Sequence, residues 1–514
     1  MAFIAVSIPV CSPDDIDVAM SHAGASVEAG ADLVEWRIDE WPDEGHPATD
    51  VARLVDEAPV PCILTVRSVV EGGAFEGSAD ELASFLHAVA DTDACPRYVG
   101  IEHAMWRSSD ALRAAVDELP DDVGLILSMH DMLGRPDDLL RTAVDMQSEE
   151  SVDVVKIVWR ARSTRDNLEA FELLRTRAKP MIALCMGELG LPSRVLAGRA
   201  GGLLTFASSA AGETAEGQCD VRTLVERYRF RSLQPETQVY GIIGWPVAHS
   251  LSPIVHNDGF DSEGIDAVLL PLPVMKGWES FKATMSVLLA DPAFNLRGVC
   301  VTLPHKEHAL RFVREAGGDV TDIAERAGAA NTIIIASDGG LTADNTDAPA
   351  IVETLGVEPS GSRVAILGAG GAARAAIAAL VEAGARVDVF NRSVDRARAL
   401  VETMDNPMCT LGDLDEVSGY DIVLNTTSVG MADGPDPEGN PAEELGLPGW
   451  VIEEAGVVYE CIYAPRRTPL IQAAQAAGTT VVTGEAMFLA QAVRQFRLWT
   501  GCEPSFERWR QLID

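Results

Sequence analysis

Arg363-Val-Ala-Ile-Leu-Gly-Ala-Gly-Gly-Ala-Ala-Arg374 passes from a short apolar run through glycines into an alanine-rich helical pattern. The run predicts a strand, a tight turn and a helix. Gly368 permits the turn, Gly370 lets the backbone approach a pyrophosphate, and Ala373, in the place of a third glycine, keeps the helix close to the sheet. The N-terminus of that helix, with Ala369, Gly371 and Ala372 around it, then faces the anion. Small-residue turns of this kind occur in many α/β domains, so the deciding residues stand about 20 positions on, where a second strand ends beside an adenosine ribose. There the chain reads Val387-Asp-Val-Phe-Asn-Arg-Ser393. A carboxylate closing that strand would accept from a free 2′-hydroxyl. Asn391 and Arg392, followed by Ser393 and with Arg396 one helical turn on, instead offer donors and positive charge to a 2′-phosphate. The stretch therefore predicts a Rossmann unit suited to NADP rather than NAD.

A chain of 514 residues exceeds one ordinary core and implies roughly two to four domains. Hydrophobic residues make up 47%, no uninterrupted apolar run would cross a bilayer, and Met1 to Ile8 already reads as a strand, so no signal or transit peptide is expected. Nine cysteines are scattered without a C-x-x-C or a Cys/His cluster. That pattern argues for reduced thiols in a cytoplasmic protein and against a metal site or disulfide scaffold. The formal charge of −38 disfavours nucleic acid and anionic membrane as partners and leaves small molecules. Oligomeric state stays open. Of 40 lysines and arginines only five are lysines: Lys156, Lys179, Lys276, Lys282 and Lys306. A lysine kept in an apolar strand is then a candidate for chemistry in which an amine must lose its proton.

From Phe3 to about Phe230, eight short apolar runs alternate with helical patterns, close to the ~250 residues of a (β/α)8 TIM barrel. Barrel active sites lie at the C-terminal ends of the strands. Polar exceptions collect there: Glu35, Arg37, Arg67, Glu71, Glu102, His130, Lys156 and Arg194, with Met186 among them and Gln218 after the last strand. In Asp153-Val-Val-Lys-Ile-Val158, alternation puts Lys156 on the face of Val154 and Val158. A buried amine there either attacks a ketone to form a Schiff base or serves as an ion-paired lysine at the barrel mouth. His130 ends the neighbouring strand, where an imidazole could move a proton next to an iminium.

These residues resemble type I 3-dehydroquinate dehydratases. The likeness rests on Glu35-Trp-Arg-Ile-Asp39, Thr65-Val-Arg67, Glu71-Gly-Gly73, Ser128-Met-His-Asp131, Val155-Lys-Ile157, Met186-Gly-Glu-Leu-Gly190, Ser193-Arg194 and Thr214-Ala-Glu-Gly-Gln218. The resemblance implies that Lys156 forms the imine and that His130 removes the adjacent carbon proton and protonates the departing hydroxyl. It also implies that Arg194 binds the carboxylate, that Glu35, Arg37, Arg67, Thr214 and Gln218 hold hydroxyls, and that Met186 and Phe206 line the pocket. Gly100, Thr214 and Glu216 depart from the family's usual Asp, Ser and Pro.

A polar linker, Ser232 to Thr237, precedes a new domain opening at Val239. Ser250 and Ser252 stand just before a helical pattern, as carboxylate ligands, as an N-cap, or both. Gly298-Val-Cys-Val-Thr-Leu-Pro-His-Lys306, Gly328-Ala-Ala-Asn-Thr332 and Asp344-Asn-Thr-Asp347 follow, and then the glycine-rich unit. Lys306 and Asp347 beside a nicotinamide cleft suggest a proton donor and its ionic partner. With Asn425-Thr-Thr-Ser-Val-Gly-Met431, Tyr463-Ala-Pro465 and Gly484-Glu-Ala-Met-Phe-Leu-Ala-Gln491, these motifs resemble shikimate dehydrogenases. That resemblance implies Ser250 and Ser252 on the carboxylate, Thr302, Asn331, Tyr463 and Gln491 on ring substituents, and proton transfer by Lys306 with Asp347. Thr426, Met431 and Gly484 would join the cofactor site. Cys300 replaces an often-found Asn, and Glu460 stands where Asp is common.

The two resemblances imply a TIM-barrel dehydratase over residues 1–230, a substrate-binding domain over 238–347 completed by helices in 484–514, and a Rossmann domain over 348–483. Together they imply conversion of 3-dehydroquinate to 3-dehydroshikimate and then, with NADPH, to shikimate. A fusion with a quinate dehydrogenase and a ligand-sensing regulator are the rival readings. Retention of both serines and Thr302 favours shikimate, and retention of all four candidate catalytic groups favours an enzyme.

Overall fold

The computed structural model describes residues 2–45, 47–417 and 419–513. Met1 and Asp514, the outer ends of the domains assigned from sequence, lie outside the described residues. By contact density the chain divides into one unit of Met1–Thr237 with Asp266–Pro273, and another of Gln238–Ile265 with Val274–Asp514. The sequence reading puts Asp266–Pro273 with the second half, whereas the contacts group it with the first.

In the first unit, strands β1 (Phe3–Pro9), β2 (Leu33–Arg37), β3 (Cys62–Thr65), β4 (Tyr98–Glu102), β5 (Gly124–Asp131), β6 (Val154–Arg160), β7 (Met181–Met186) and β8 (Leu204–Ala207) pair in parallel, in the order β7-β6-β5-β4-β3-β2-β1-β8. The ladder thus runs round a barrel and leaves a seam between β7 and β8, where the Leu203 N–H still donates to the Met181 carbonyl at 2.9 Å. Inward-facing Ala5, Leu33, Ile63, Ile126, Val154 and Ile182 form one apolar cluster, as period-two strands closed on themselves require. Val158, Leu184 and Phe206 continue that cluster and carry it to the lysine.

The second unit contains two sheets. Within it β9 (Gln238–Gly244) pairs with β11 (Leu296–Val301), and β13 (Thr332–Ile335), β14 (Leu341–Asp344) and the two-residue β12 (Asp319–Val320) follow; β10 is Ala267–Pro273. The pairs β11–β13 and β13–β14 are antiparallel, which turns the edge of this sheet.

The last sheet comprises β15 (Arg363–Leu367), β16 (Arg386–Phe390), β17 (Cys409–Leu411), β18 (Ile422–Asn425), β19 (Val457–Glu460) and β20 (Thr480–Val482) in the order β17-β16-β15-β18-β19-β20. Its strands are all parallel, and alternate residues serve opposite cores: Val364, Ile366, Ile422 and Val457 on one side, Ala365, Leu367, Val423 and Val458 on the other. The strand order reverses between β15 and β18, the position where such sheets open a crevice for a dinucleotide.

The C-terminal helix Gly484–Thr500 returns to the first of these sheets. Its Gln495 Nε2 donates to the Asn331 carbonyl at 3.1 Å and to Thr332 Oγ1 at 2.9 Å. Among the described residues no helix is long and apolar enough to cross a membrane.

Candidate active sites

At the C-terminal mouth of the barrel, one pocket gathers Glu35, Arg37, Arg67, His130, Lys156, Met186, Arg194, Phe206, Thr214 and Gln218. The strands explain most of this convergence, because each ends there and alternation turns Glu35, Arg37, His130, Lys156, Met186 and Phe206 inward, while Arg194 comes from the short helix Leu191–Val195 and Thr214 and Gln218 from the loop after β8. Lys156 is buried, with Nζ 3.4 Å from Glu35 Oε1 and 3.8 Å from the centre of the Phe206 ring. Burial is the main cause that lowers its amine from the ordinary 10.5 to about 8; Glu35 opposes the shift, and Arg67 and Arg37 add to it. Glu35 divides itself among several partners, with Ser7 Oγ donating at 2.5 Å and Thr65 Oγ1 at 3.1 Å. Burial would raise this carboxyl, but Lys156, Arg37, the Ser7 hydroxyl and Arg67 outweigh it and hold it near 2.

His130 lies against Glu71. Its backbone N–H donates to Glu71 Oε2 at 3.0 Å, and its Nδ1 is 2.9 Å from the same oxygen. Arg67 Nη1 also donates to that oxygen at 3.0 Å, and reaches Ser128 Oγ at 3.0 Å and Glu102 Oε1 at 3.3 Å. An oxygen already accepting from two donors leaves Nδ1–H as the third, so the free lone pair of the ring is on Nε2. Burial, then Arg67, Lys156, Arg37 and Arg194, push the imidazole well below its ordinary value, so the ring is neutral. Burial also raises Glu71 to about 8 against the pull of Arg67.

Arg194 is 2% exposed; among the described residues its Nε has no hydrogen-bond partner, and its Nη2 reaches the Glu216 carbonyl at 3.5 Å. A guanidinium so placed has fork donors to spare for a carboxylate. Gln218 Oε1 accepts from the Thr214 N–H at 3.0 Å and from its hydroxyl at 3.2 Å, which ties the loop after β8. Gly73 must be glycine, since a Cβ there would fall 2.2 Å from the Arg67 carbonyl.

In the second unit a cavity of about 490 Å³ extends from Ser250 and Ser252, past Thr302, Lys306, Asn331, Asp347, Tyr463 and Gln491, to the glycine turn. Lys306 Nζ donates to Asp347 Oδ2 at 2.6 Å, and Asn331 Nδ2 to Asp347 Oδ1 at 2.8 Å. Thr346 Oγ1 and Gln491 Oε1 complete the group, 2.9 and 3.4 Å from Asn331 Nδ2. Cys300 Sγ donates to Gln495 Oε1 at 2.8 Å and lies 4.0 Å from Ser252 Oγ. Burial pushes its thiol up to about 12, so it acts as a neutral wall.

Along the other end lie Gly368, Ala369, Gly370, Gly371, Ala372, Asn391, Arg392, Arg396, Thr426, Met431 and Gly484. Gly368 has φ +117°, and a Cβ on it would meet Thr426 Oγ1 at 2.5 Å. Nothing stands within 4 Å of a Cβ built on Gly370, so its backbone faces open space. At Gly484 a Cβ would lie 2.3 Å from the Ile462 carbonyl, which makes this glycine a packing requirement as well. Ser393 is not among the cavity residues. Its hydroxyl caps the helix Val394–Met404 by accepting from the Arg396 N–H at 3.4 Å.

Residues 4–235 match the model for type I 3-dehydroquinase. Residues 242–333, 351–431 and 484–513 match those for the shikimate dehydrogenase substrate-binding domain, shikimate/quinate 5-dehydrogenase and the shikimate 5′-dehydrogenase C-terminal domain. The chain is also 33% identical to the chloroplastic bifunctional 3-dehydroquinate dehydratase/shikimate dehydrogenase of Arabidopsis thaliana, over 98% of this chain and 84% of that one. The chain belongs to this bifunctional family. Its second half is 41% identical to the shikimate dehydrogenase (NADP(+)) of Geobacter sp. (strain M21), over 52% of this chain and 92% of that one. A solved shikimate 5-dehydrogenase of Thermus thermophilus, in complex with NADP(H) and shikimate, is 33% identical and covers 54% of this chain and 98% of its own, with a TM-score of 0.46.

Several residues of this family member received no role from sequence. Glu71 was visible in its Glu-Gly-Gly motif, but its bond to His130 spans 59 residues and no local pattern announces it. Ser7, Gln495 and Glu460 are likewise identified by their partners. Among the described residues no group of three or more His, Cys, Asp or Glu is placed to hold a metal.

Proposed function

We infer that this enzyme dehydrates 3-dehydroquinate to 3-dehydroshikimate in its barrel and reduces 3-dehydroshikimate to shikimate with NADPH in its second half. The observation that carries the first reaction is Lys156, an amine brought to about 8 by burial beside a neutral histidine and a buried, underused Arg194. In this reading Arg194 holds the substrate carboxylate. The neutral fraction of Lys156 attacks the ketone and, with loss of water, forms a protonated imine. His130 Nε2 takes the proton from the neighbouring carbon, the imine accepts the electron pair, and the same proton goes to the departing hydroxyl. Hydrolysis of the imine returns the lysine. Glu71 keeps the imidazole in the tautomer this sequence needs.

The second half fits NADP. The Gly370 backbone faces open space at the glycine turn, as a pyrophosphate requires, and Arg392 and Arg396 line the far end where a 2′-phosphate would lie. NADPH supplies a hydride to the carbonyl carbon when bound. Ser250 and Ser252 hold the carboxylate, Lys306 gives a proton to the oxygen that gains charge, and Asp347 orients Lys306 while Asn331 orients Asp347.

We assign residues 1–230 to the dehydratase, 238–347 with helices in 484–514 to substrate binding, and 348–483 to NADP binding. The net charge of −38 supports small-molecule partners over nucleic acid, and nine scattered cysteines, all free, support a reducing cytoplasm. A coupled assay tests the whole reading: 3-dehydroquinate added with NADPH should consume nicotinamide absorbance and yield shikimate. Absorbance loss with 3-dehydroshikimate but not with 3-dehydroquinate would remove the barrel's role. Failure with both would remove the enzyme reading.

A further inference from the structure

Glu460 ends β19 with a fully buried side chain, and no step described above uses it. Its two oxygens meet donors from three separate segments. Asn425 Nδ2, at the end of the neighbouring β18, donates to Oε1 at 2.8 Å; the Ile462 N–H donates to the same oxygen at 3.0 Å; and Thr468 Oγ1 donates to Oε2 at 2.9 Å. Each donor leads to the reductase cleft. Asn425 passes the constraint on through Oδ1, which accepts from the Thr427 N–H at 2.9 Å and its hydroxyl at 2.8 Å. Thr426, Thr427 and Met431 of that loop line the cavity, as do Ile462 and Tyr463 beyond the other donor. Thr468 caps the helix Pro469–Ala477, whose first turn follows the Tyr463 segment.

We propose that Glu460 is a positioning residue of the dehydrogenase, whose ionised carboxylate holds the loop around Thr426–Met431 and the segment carrying Tyr463 in register across the cofactor cleft. This rests on the dehydrogenase reading above. All the donors that bond it are neutral, and the adjacent titratable group is the Cys461 thiol, itself pushed up by burial. Among the described residues no cationic side chain bonds the carboxylate, which is held by neutral donors. Burial is the cause that brings Glu460 up to about 7, opposed by the Ile462 N–H, Thr468 and Asn425. Below that pH Oε2 becomes an O–H, so the Thr468 hydroxyl must turn from donor to acceptor while it also accepts from the Ile471 N–H, and a neutral carboxyl holds the donors on Oε1 more weakly, which loosens the common anchor of the two segments. Asn425 and Thr468 are thus bound directly to one carboxylate, and Thr427 is joined to it through Asn425, so that it serves both sides of the cleft.

The test measures shikimate oxidation against pH in the full-length enzyme and in Glu460→Gln, Glu460→Asp and Thr468→Val, with circular dichroism and thermal unfolding of the same samples as the control for folding. Wild type should lose kcat/KM as pH falls through about 7. Glu460→Gln, which copies the neutral state, should be down by roughly tenfold or more at pH 8, raise KM for NADP, and show no further loss near pH 7. Glu460→Asp should recover part of the activity at pH 8. Thr468→Val removes one donor from the carboxylate, so the acid limb should move to higher pH even if Glu460→Gln folds poorly. An unchanged limb in Thr468→Val together with wild-type kcat/KM in Glu460→Gln overturns the proposal. A limb that persists in Glu460→Gln shows that another group sets it and also overturns the proposal. A wild-type chain without shikimate oxidation at any pH would instead refute the dehydrogenase reading.

Discussion

Replacing Glu35 by Gln tests whether Lys156 is tuned as the geometry indicates. At about 8, roughly a tenth of the amine is unprotonated at neutral pH, against about three parts in ten thousand for an ordinary lysine. Burial, Arg67 and Arg37 press the value down, and Glu35 at 3.4 Å holds it up. Coulomb attraction over that distance is ~5 kcal/mol at an effective dielectric of about 20 and ~1 kcal/mol in bulk water. At about 1.4 kcal/mol per pKa unit, removing the charge should lower Lys156 by about one to three and a half units. Gln keeps the volume, its single carbonyl oxygen can accept from one of Ser7 and Thr65, and its amide can donate to the other hydroxyl, so the pocket stays packed. The assay is the pH dependence of Lys156 modification by a small amine-directed reagent, followed by peptide mass spectrometry. The midpoint should lie near 8 in the wild type and at least about one unit lower in the variant. A midpoint that stays or rises would show that Glu35 does not set the amine's charge. Turnover is a poorer readout because Glu35 also faces the substrate.

Gly371→Ala should cripple the dehydrogenase and spare the dehydratase, because the new Cβ would fall 2.9 Å from Lys306 Cβ and 3.0 Å from its Cδ and displace the lysine stem; an unchanged kcat for shikimate would contradict this. Arg392→Ala should weaken NADP binding far more than NAD binding, by roughly ten- to hundredfold for loss of a charge-assisted bond; equal losses in a fluorescence titration would reject the 2′-phosphate assignment. Lys156→Met should abolish dehydration and leave shikimate oxidation near wild type, Lys306→Ala the reverse, and a mixture of the two should regain flux from 3-dehydroquinate. Loss of both activities from either substitution would show that the two sites depend on each other.

Regular alternation made the barrel strands legible, since a strand whose inner face meets a closed core must repeat every second residue. The glycine turn was legible for a similar reason: at Gly368 the backbone itself, at φ +117°, restricts the choice of residue. Two-residue β12 carries too little pattern to be read, and it exists because β14 offers it a partner. Side-chain roles divided along the same line. Lys156 was exceptional in its own strand, so it could be found. Glu71, Glu460 and Gln495 look like ordinary polar residues and acquire their meaning from partners 59, 35 and 164 positions away. Ser393 carries a use that its place beside Arg392 did not announce, since its hydroxyl caps the helix that follows.

The chain holds only five lysines, and its two candidate catalytic amines stand in opposed surroundings. Lys306 meets Asp347 at 2.6 Å, and Asp347 is braced in turn by Asn331. That arrangement suits an ammonium that must stay oriented until a ketone oxygen gains negative charge and draws the proton away. Lys156 has its carboxylate at 3.4 Å, shared with two hydroxyls, while two arginines repel its charge. An amine that must attack carbon needs a lone pair, so a closer carboxylate would slow its reaction by keeping it protonated. Arginine could replace neither group: its proton is not released in the range where Lys156 works, and its flat fork would not hand a single proton along the line that Asp347 and Lys306 define. The distance from lysine to carboxylate therefore separates nucleophile from proton donor in one chain, and exchanging the two environments should cost each site its reaction even with both amines retained.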